Sequence, residues 1–74
     1  MNYPVIDTDA TGRNLDHMIR GSGYSVTEIA DYLGATRSLV YRYMRGEVLP
    51  STDRLLALSI LLGVTVNDLL VINE

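Results

Sequence analysis

The sequence predicts an all-α domain, a compact bundle of about five short helices, and three observations predict it. Apolar residues recur at helical rather than alternating spacing, as in Ile29, Ala30 and Leu33 or Leu55, Leu58 and Leu62. Capping residues stand where such runs begin: Ser25 with Glu28 and Thr65 with Asp68 as capping boxes, Thr36 and Ser51 or Thr52 as N-caps. Glycines stand where the runs stop, at Gly34 and Gly63.

The division expected along the chain is an N-terminal tail or short strand over 1–11 and a helical domain over 12–74. In the first part Tyr3, Val5 and Ile6 straddle Pro4, which disfavours helix. Two readings stand there: a mobile tail, or a short edge strand paired with Leu70–Asn73 or across a dimer. Gly12–Gly21 reads as the first helix, capped by Thr11 or Asp9, with Leu15, Met18 and Ile19 facing the core. Gly21-Ser22-Gly23 is a turn; it lacks the preceding strand and the Lys-Ser/Thr pair of a phosphate-cradling loop.

Two helices joined by a tight turn follow over Ser25–Arg45, SVTEIADYLGATRSLVYRYMR. Ala30 is small where the second helix must cross the first closely. Gly34 lies four residues later, where the chain turns sharply, and Val40 six beyond that, where a stiff branched side chain wedges between the helices. A small residue, a glycine and a branched apolar residue at those offsets are the signature of a helix-turn-helix. In its second helix Leu39, Val40, Tyr43 and Met44 are available for packing, and Arg37, Ser38, Tyr41, Arg42 and Arg45 for the outside. Val48–Pro50 is a loop. The helix after it runs through Leu62 with Leu55, Leu58, Ser59 and Leu62 as its buried stripe, and a short fifth helix runs from Thr65 to about Leu70. Leu56, Ile60 and Leu61 are surplus to that stripe. A helix apolar nearly all round is either central or covered by another subunit, so a homodimer through Leu56, Ile60, Leu61, Leu69, Val71 and Ile72 is expected, the alternative being that the N-terminal tail folds over this surface.

The segment Tyr24–Leu70, carried by YSVTEIADYLGATRSLVYRYMRGE and LPSTDRLLALSILLGVTVNDLL, resembles the DNA-binding domain of the phage-repressor family, the Xre group of lambda repressor and Cro. It covers roughly two thirds of the chain. The resemblance implies a lambda-repressor-like fold and sequence-specific binding of double-stranded DNA by a small transcriptional regulator, most naturally a repressor. The second helix of such a motif lies in the major groove with its first turns against base edges. Base contacts are then expected from Arg37, Ser38, Leu39, Tyr41 and Arg42, with Leu39 equally suited to packing and Arg42 also able to reach a phosphate. Arg37 is able to give a guanine two parallel hydrogen bonds, and the position of Tyr41 is a base-contacting one in the family. Phosphate contacts are expected from Ser25, Val26, Thr27, Thr36, Arg45, Ser51 and Thr52, largely through backbone amides at helix N-termini. The family often has Gln where Val26 stands and an acid where Met44 stands, so those contacts are in question.

Composition narrows the remaining classes. Seventy-four residues allow one modest core. Cysteine is absent, which removes disulfides, thiolate zinc sites and thiol nucleophiles. His17 is the lone histidine, so no metal or cofactor is expected, and no Ser-His-Asp or paired-carboxylate set points to an enzyme. No signal-like N-terminus or membrane-length apolar run is present, and a cytoplasmic protein is expected. All six basic residues are Arg, and the net charge is −3. That balance opposes phosphate binding, although Arg37, Arg42 and Arg45 cluster with only Glu47 close by. The alternative function is a protein-interaction module, an antirepressor, antitoxin or inhibitor that uses the same fold to bind a regulatory protein partner. A palindromic operator bound by two copies is the arrangement expected for the DNA reading.

Overall fold

A computed structural model describes residues 3–73; Met1 and Asn2 of the expected N-terminal segment, and Glu74 of the expected domain, lie outside the described residues. The elements run β1 (Val5–Ile6), α1 (Thr8–Gly21), α2 (Val26–Leu33), α3 (Arg37–Met44), α4 (Thr52–Leu62), α5 (Val66–Leu69) and β2 (Ile72–Asn73). The two strands form a small antiparallel pair with Val5 opposite Asn73 and Ile6 opposite Ile72. The five helices enclose one core of Leu15, Ile19, Ile29, Ala30, Val40, Tyr43, Met44, Leu55, Leu58 and Leu69. Each large apolar side chain removed from water there contributes about 1.5–3 kcal/mol.

Local chemistry explains most boundaries. Ser25 accepts from the Glu28 amide at 3.1 Å while Glu28 accepts from the Ser25 amide at 2.9 Å, a complete capping box. Thr36 accepts from the Leu39 amide and Ser51 from the Arg54 amide. Thr65 and Asp68 form the second box. Gly34 ends α2 at φ 64°, in the left-handed region where a side chain is strained, and its amide turns back to Ala30 and Asp31.

The first helix departs from expectation. It begins at Thr8, with the Asp7 carboxylate as its cap, accepting from the Ala10 amide at 2.9 Å. Neither Thr11 nor Asp9 caps it, and the expected division between 11 and 12 falls inside continuous helix. Thr11 is buried and serves the other end of the chain: its hydroxyl donates to the Val71 carbonyl at 3.4 Å and accepts from the Val71 amide at 2.9 Å. The Asp7 amide donates to the same carbonyl, and the Asn14 amide nitrogen donates to the carbonyls of Asp68 and Leu69. One face of α1 therefore supplies the hydrogen bonds that the backbone leaving α5 cannot make within so short a helix.

Gly12 is also interior to α1, and the reason is a close crossing. A Cβ built on Gly12 would lie 2.3 Å from both the Cα and the amide nitrogen of Gly46, and 2.8 Å from the Tyr43 carbonyl oxygen. Gly46 in turn has φ 73° and faces the Asp9 backbone, whose Cα would be 2.7 Å from a Cβ at that position. Backbone meets backbone at this point, with no flexible side chain able to give way.

The expected dimer surface needs one correction. Leu69 has no exposed surface; it is in the core, because the single turn of α5 faces inward between α1 and α4. Leu56 and Ile60 are 53% and 66% exposed, Ile72 is exposed, and Leu61 and Val71 are half-buried.

Gly12→Ala is expected to lower unfolding free energy by about 2–4 kcal/mol, whereas Gly21→Ala, with nothing within 4 Å of the added carbon, is expected to be neutral or stabilising by up to about 1 kcal/mol. Urea denaturation of the two variants checks this; equal effects would refute the crossing as the cause. A second expectation concerns acid. Hydrogen bonds from the Thr65 backbone and side chain hold the Asp68 carboxyl below its ordinary range. A depressed pKa contributes stability above the unfolded-state value, lost as pH falls through the folded one. The stability difference between wild type and Asp68→Asn is thus expected to be constant from neutral pH to about pH 5 and to shrink below it, read from denaturation curves across pH.

Candidate nucleic-acid interface

The second helix of the motif, α3, divides cleanly into two faces. Val40, Tyr43 and Met44 are buried, and Leu39 is half-buried against the core. Arg37, Ser38, Tyr41, Arg42 and Arg45 are exposed at i, i+1, i+4, i+5 and i+8, which is one stripe of a 3.6-residue helix. The outward stripe thus contains four of the five expected base-contact residues, and Leu39 lies at its margin. Of the expected phosphate contacts Ser25, Thr27, Thr36, Arg45, Ser51 and Thr52 are exposed and Val26 is half-buried. Ser25, Thr36 and Ser51 are N-caps of α2, α3 and α4, so each marks a helix end whose amides lack carbonyl partners.

The middle and the C-terminal end of α3 are held. Val40, fully buried, packs with Ile29 and Ala30 in the core between α2 and α3. At the C-terminal end Gly46 and Glu47 form a complete Schellman turn: the Gly46 amide donates to the Tyr43 carbonyl at 3.1 Å and the Glu47 amide to the Arg42 carbonyl at 3.0 Å. The Tyr43 hydroxyl accepts a hydrogen bond from Arg54 Nη1 at 3.2 Å, which ties α3 to the first turn of α4. Arg54 was not legible as a site residue, since its partner is eleven positions away on another helix.

The electrostatics of the helices single out α3. Asp9, Glu28, Asp53 and Asp68 stand in the first turns of α1, α2, α4 and α5, where negative charge suits the positive end of the helix. In α3 no acid stands there, and the helix opens instead on Arg37. A cation at that end is unfavourable by about 0.3–1 kcal/mol. The arginines also differ in their partners. Arg13 pairs with Asp9, Arg20 with Asp16, and Arg45 with Glu47, whose other oxygen lies 3.8 Å from Arg42 Nε. Arg37 forms no ion pair or side-chain hydrogen bond among the described residues. The hydrogen bond from Arg45, with the positive charges of Arg45 and Arg42, holds the Glu47 carboxyl below its ordinary range.

No cluster of His, Cys, Asp and Glu able to hold a metal ion occurs among the described residues, and no helix among them is long and apolar enough to cross a membrane. Comparison with known proteins adds two findings. A family model described as helix-turn-helix matches residues 19–69. The crystal structure of the restriction-modification controller protein C.AhdI from Aeromonas hydrophila is 27% identical, with the match covering 85% of this chain and 96% of that one at a TM-score of 0.75. Among curated proteins none matches the chain.

Proposed function

The chain belongs to the helix-turn-helix family of DNA-binding transcriptional regulators typified by lambda repressor and Cro, and from that premise we propose that it is a sequence-specific, cytoplasmic regulator, acting as a repressor, that reads the major groove with α3. The observation that carries this reading is the start of α3. A helix whose positive end carries an uncompensated, unpaired arginine is built for an anion that comes from outside, and a duplex offers both phosphate and the acceptor edge of guanine. Arg37 and Ser38 reach base edges from the first turn and Tyr41 does so one turn on; Arg42, able to reach either a base or a phosphate, is assigned to phosphate. Thr36, Arg45 and the amide-rich ends of α2 and α4 grip phosphate on either side. The likeness to a restriction-modification controller supports a small regulator of this kind. No catalytic role is assigned.

Two copies reading a palindrome would place their α3 helices about 34 Å apart, one turn of duplex. The exposed apolar residues Leu56, Ile60 and Ile72, flanked by Leu61 and Val71, supply the surface for a homodimer. The alternative, a module that binds a regulatory protein, draws on the net charge of −3 and this same surface.

Selection from random duplexes is expected to recover one palindromic site with the wild type. Arg37→Ala is expected to lose about 1–3 kcal/mol of discrimination at a single base per half-site. Equal, sequence-blind retention by both proteins would favour the protein-binding alternative. Light scattering is expected to give a dimer for the wild type. Ile60→Glu, on an exposed position that leaves the core intact, is expected to give a monomer that binds the palindrome about a hundredfold more weakly. A wild-type monomer at high micromolar concentration would rule the dimer out.

A further inference from the structure

Glu47 is the acid that pairs with the exposed arginine stripe of α3 among the described residues, and its position is enforced from several directions. Its amide is bonded to the Arg42 carbonyl at 3.0 Å, and the preceding Gly46 is left-handed and wedged between Asp9 and Gly12. The carboxylate accepts from Arg45 Nε with one oxygen and lies 3.8 Å from Arg42 Nε with the other. The turn that ends the helix therefore delivers a negative charge to two of the three cations that the interface offers. The three side chains are all about half exposed, so water competes with the pairing and an anion of better geometry is able to replace it.

We propose that Glu47 is a built-in counter-anion for Arg42 and Arg45, which the phosphate backbone of duplex DNA must displace, and that it thereby limits the sequence-independent part of DNA affinity while leaving base discrimination to Arg37. The proposal rests on α3 being the DNA-reading helix. A phosphodiester presents two acceptor oxygens to an arginine edge much as a carboxylate does, so the two anions compete for the same Nε edges. Once phosphate is in place, the Glu47 carboxylate is left facing it, and like charges repel. Arg37, with no such partner among the described residues, meets its base without an exchange. Glu47, like any exposed carboxylate, carries its charge at neutral pH. Its net effect is to cancel one positive charge of the interface, and one fewer counterion is then released on binding. A regulator with a weak sequence-independent grip leaves non-specific sites sooner and depends more on its base contacts.

The test is Glu47→Gln, an isosteric change at an exposed position, with Glu47→Ala as a second variant. Binding to a mixed-sequence duplex and to the duplex recovered by selection is measured across a salt series, with the urea midpoint confirming that each variant is folded. Both variants are expected to bind both duplexes about tenfold more tightly at low salt. The slope of log affinity against log salt should become steeper by about 0.9, and the ratio between the two duplexes should not change. Unchanged affinity and slope would overturn the proposal, as would weaker binding restored by Glu47→Asp, which would make Glu47 a positioning residue for the arginines. A wild type that binds no duplex overturns the DNA reading itself, a result distinct from either.

Discussion

The close passage of α1 over the turn that ends α3, where Gly12 meets Gly46 with no side chain between them, is the constraint on which the rest of the structure depends. Gly46 must be left-handed to close the Schellman turn, and it must lack a Cβ to admit the Asp9 backbone. Gly12 must lack one for the same approach seen from the other side. Because α1 also holds the backbone around α5 and β2 through Thr11 and Asn14, the crossing links the helix-turn-helix to the end of the chain. The middle of α3 is set by Val40 in the core with Ile29 and Ala30. A short helix anchored at its middle and its C-terminal end keeps its outer face at a fixed tilt, and side chains on such a face lose little freedom when they meet a rigid duplex.

Against this well-satisfied background, the outer face of α3 stands out. Every other helix begins with an acid in its first turn, and buried side-chain polar atoms without a hydrogen-bond partner are absent among the described residues. The start of α3 is where the fold accepts an electrostatic loss of its own. Departures of this sort from local consistency cluster where a protein meets its ligand. The acidic total charge of the chain is less informative than this placement, since Asp9 and Asp16 are spent on Arg13 and Arg20 within α1.

The apolar residues on α4 show the same division between core and surface. Leu55, Leu58 and Ser59 face inward, and Ser59 returns its hydroxyl to the Leu56 carbonyl at 2.7 Å, so that polar atom is buried at no cost in hydrogen bonds. Leu56 and Ile60 have no such place. Their exposure follows from helix geometry, since residues one position after Leu55 and Ser59 project about 100° away from the core.

Most of what depends on neighbours three or four residues apart was legible in the sequence: the capping boxes at Ser25 and Thr65, the caps at Thr36 and at Ser51 or Thr52, the stops at Gly34 and Gly63, and the inward and outward faces of α3; the Asp7 cap of α1 was the exception. Those features follow from backbone hydrogen bonding within one turn, and residue type alone announces them. The sequence could not show what Thr11 and Gly12 were for, because their partners lie sixty and thirty-four positions away, and read locally they marked the edge of a helix. The burial of Leu69 is hidden from the sequence for the same reason; four residues define a helical turn but not the direction it faces. Nor could composition reveal that Arg37 would stand without an acid among the described residues while Arg42 and Arg45 share Glu47, since ion pairing depends on where a left-handed turn carries the chain. Periodicity and capping are local and therefore written in the sequence, whereas close approach, burial at an end and the choice of ionic partner belong to the packed chain.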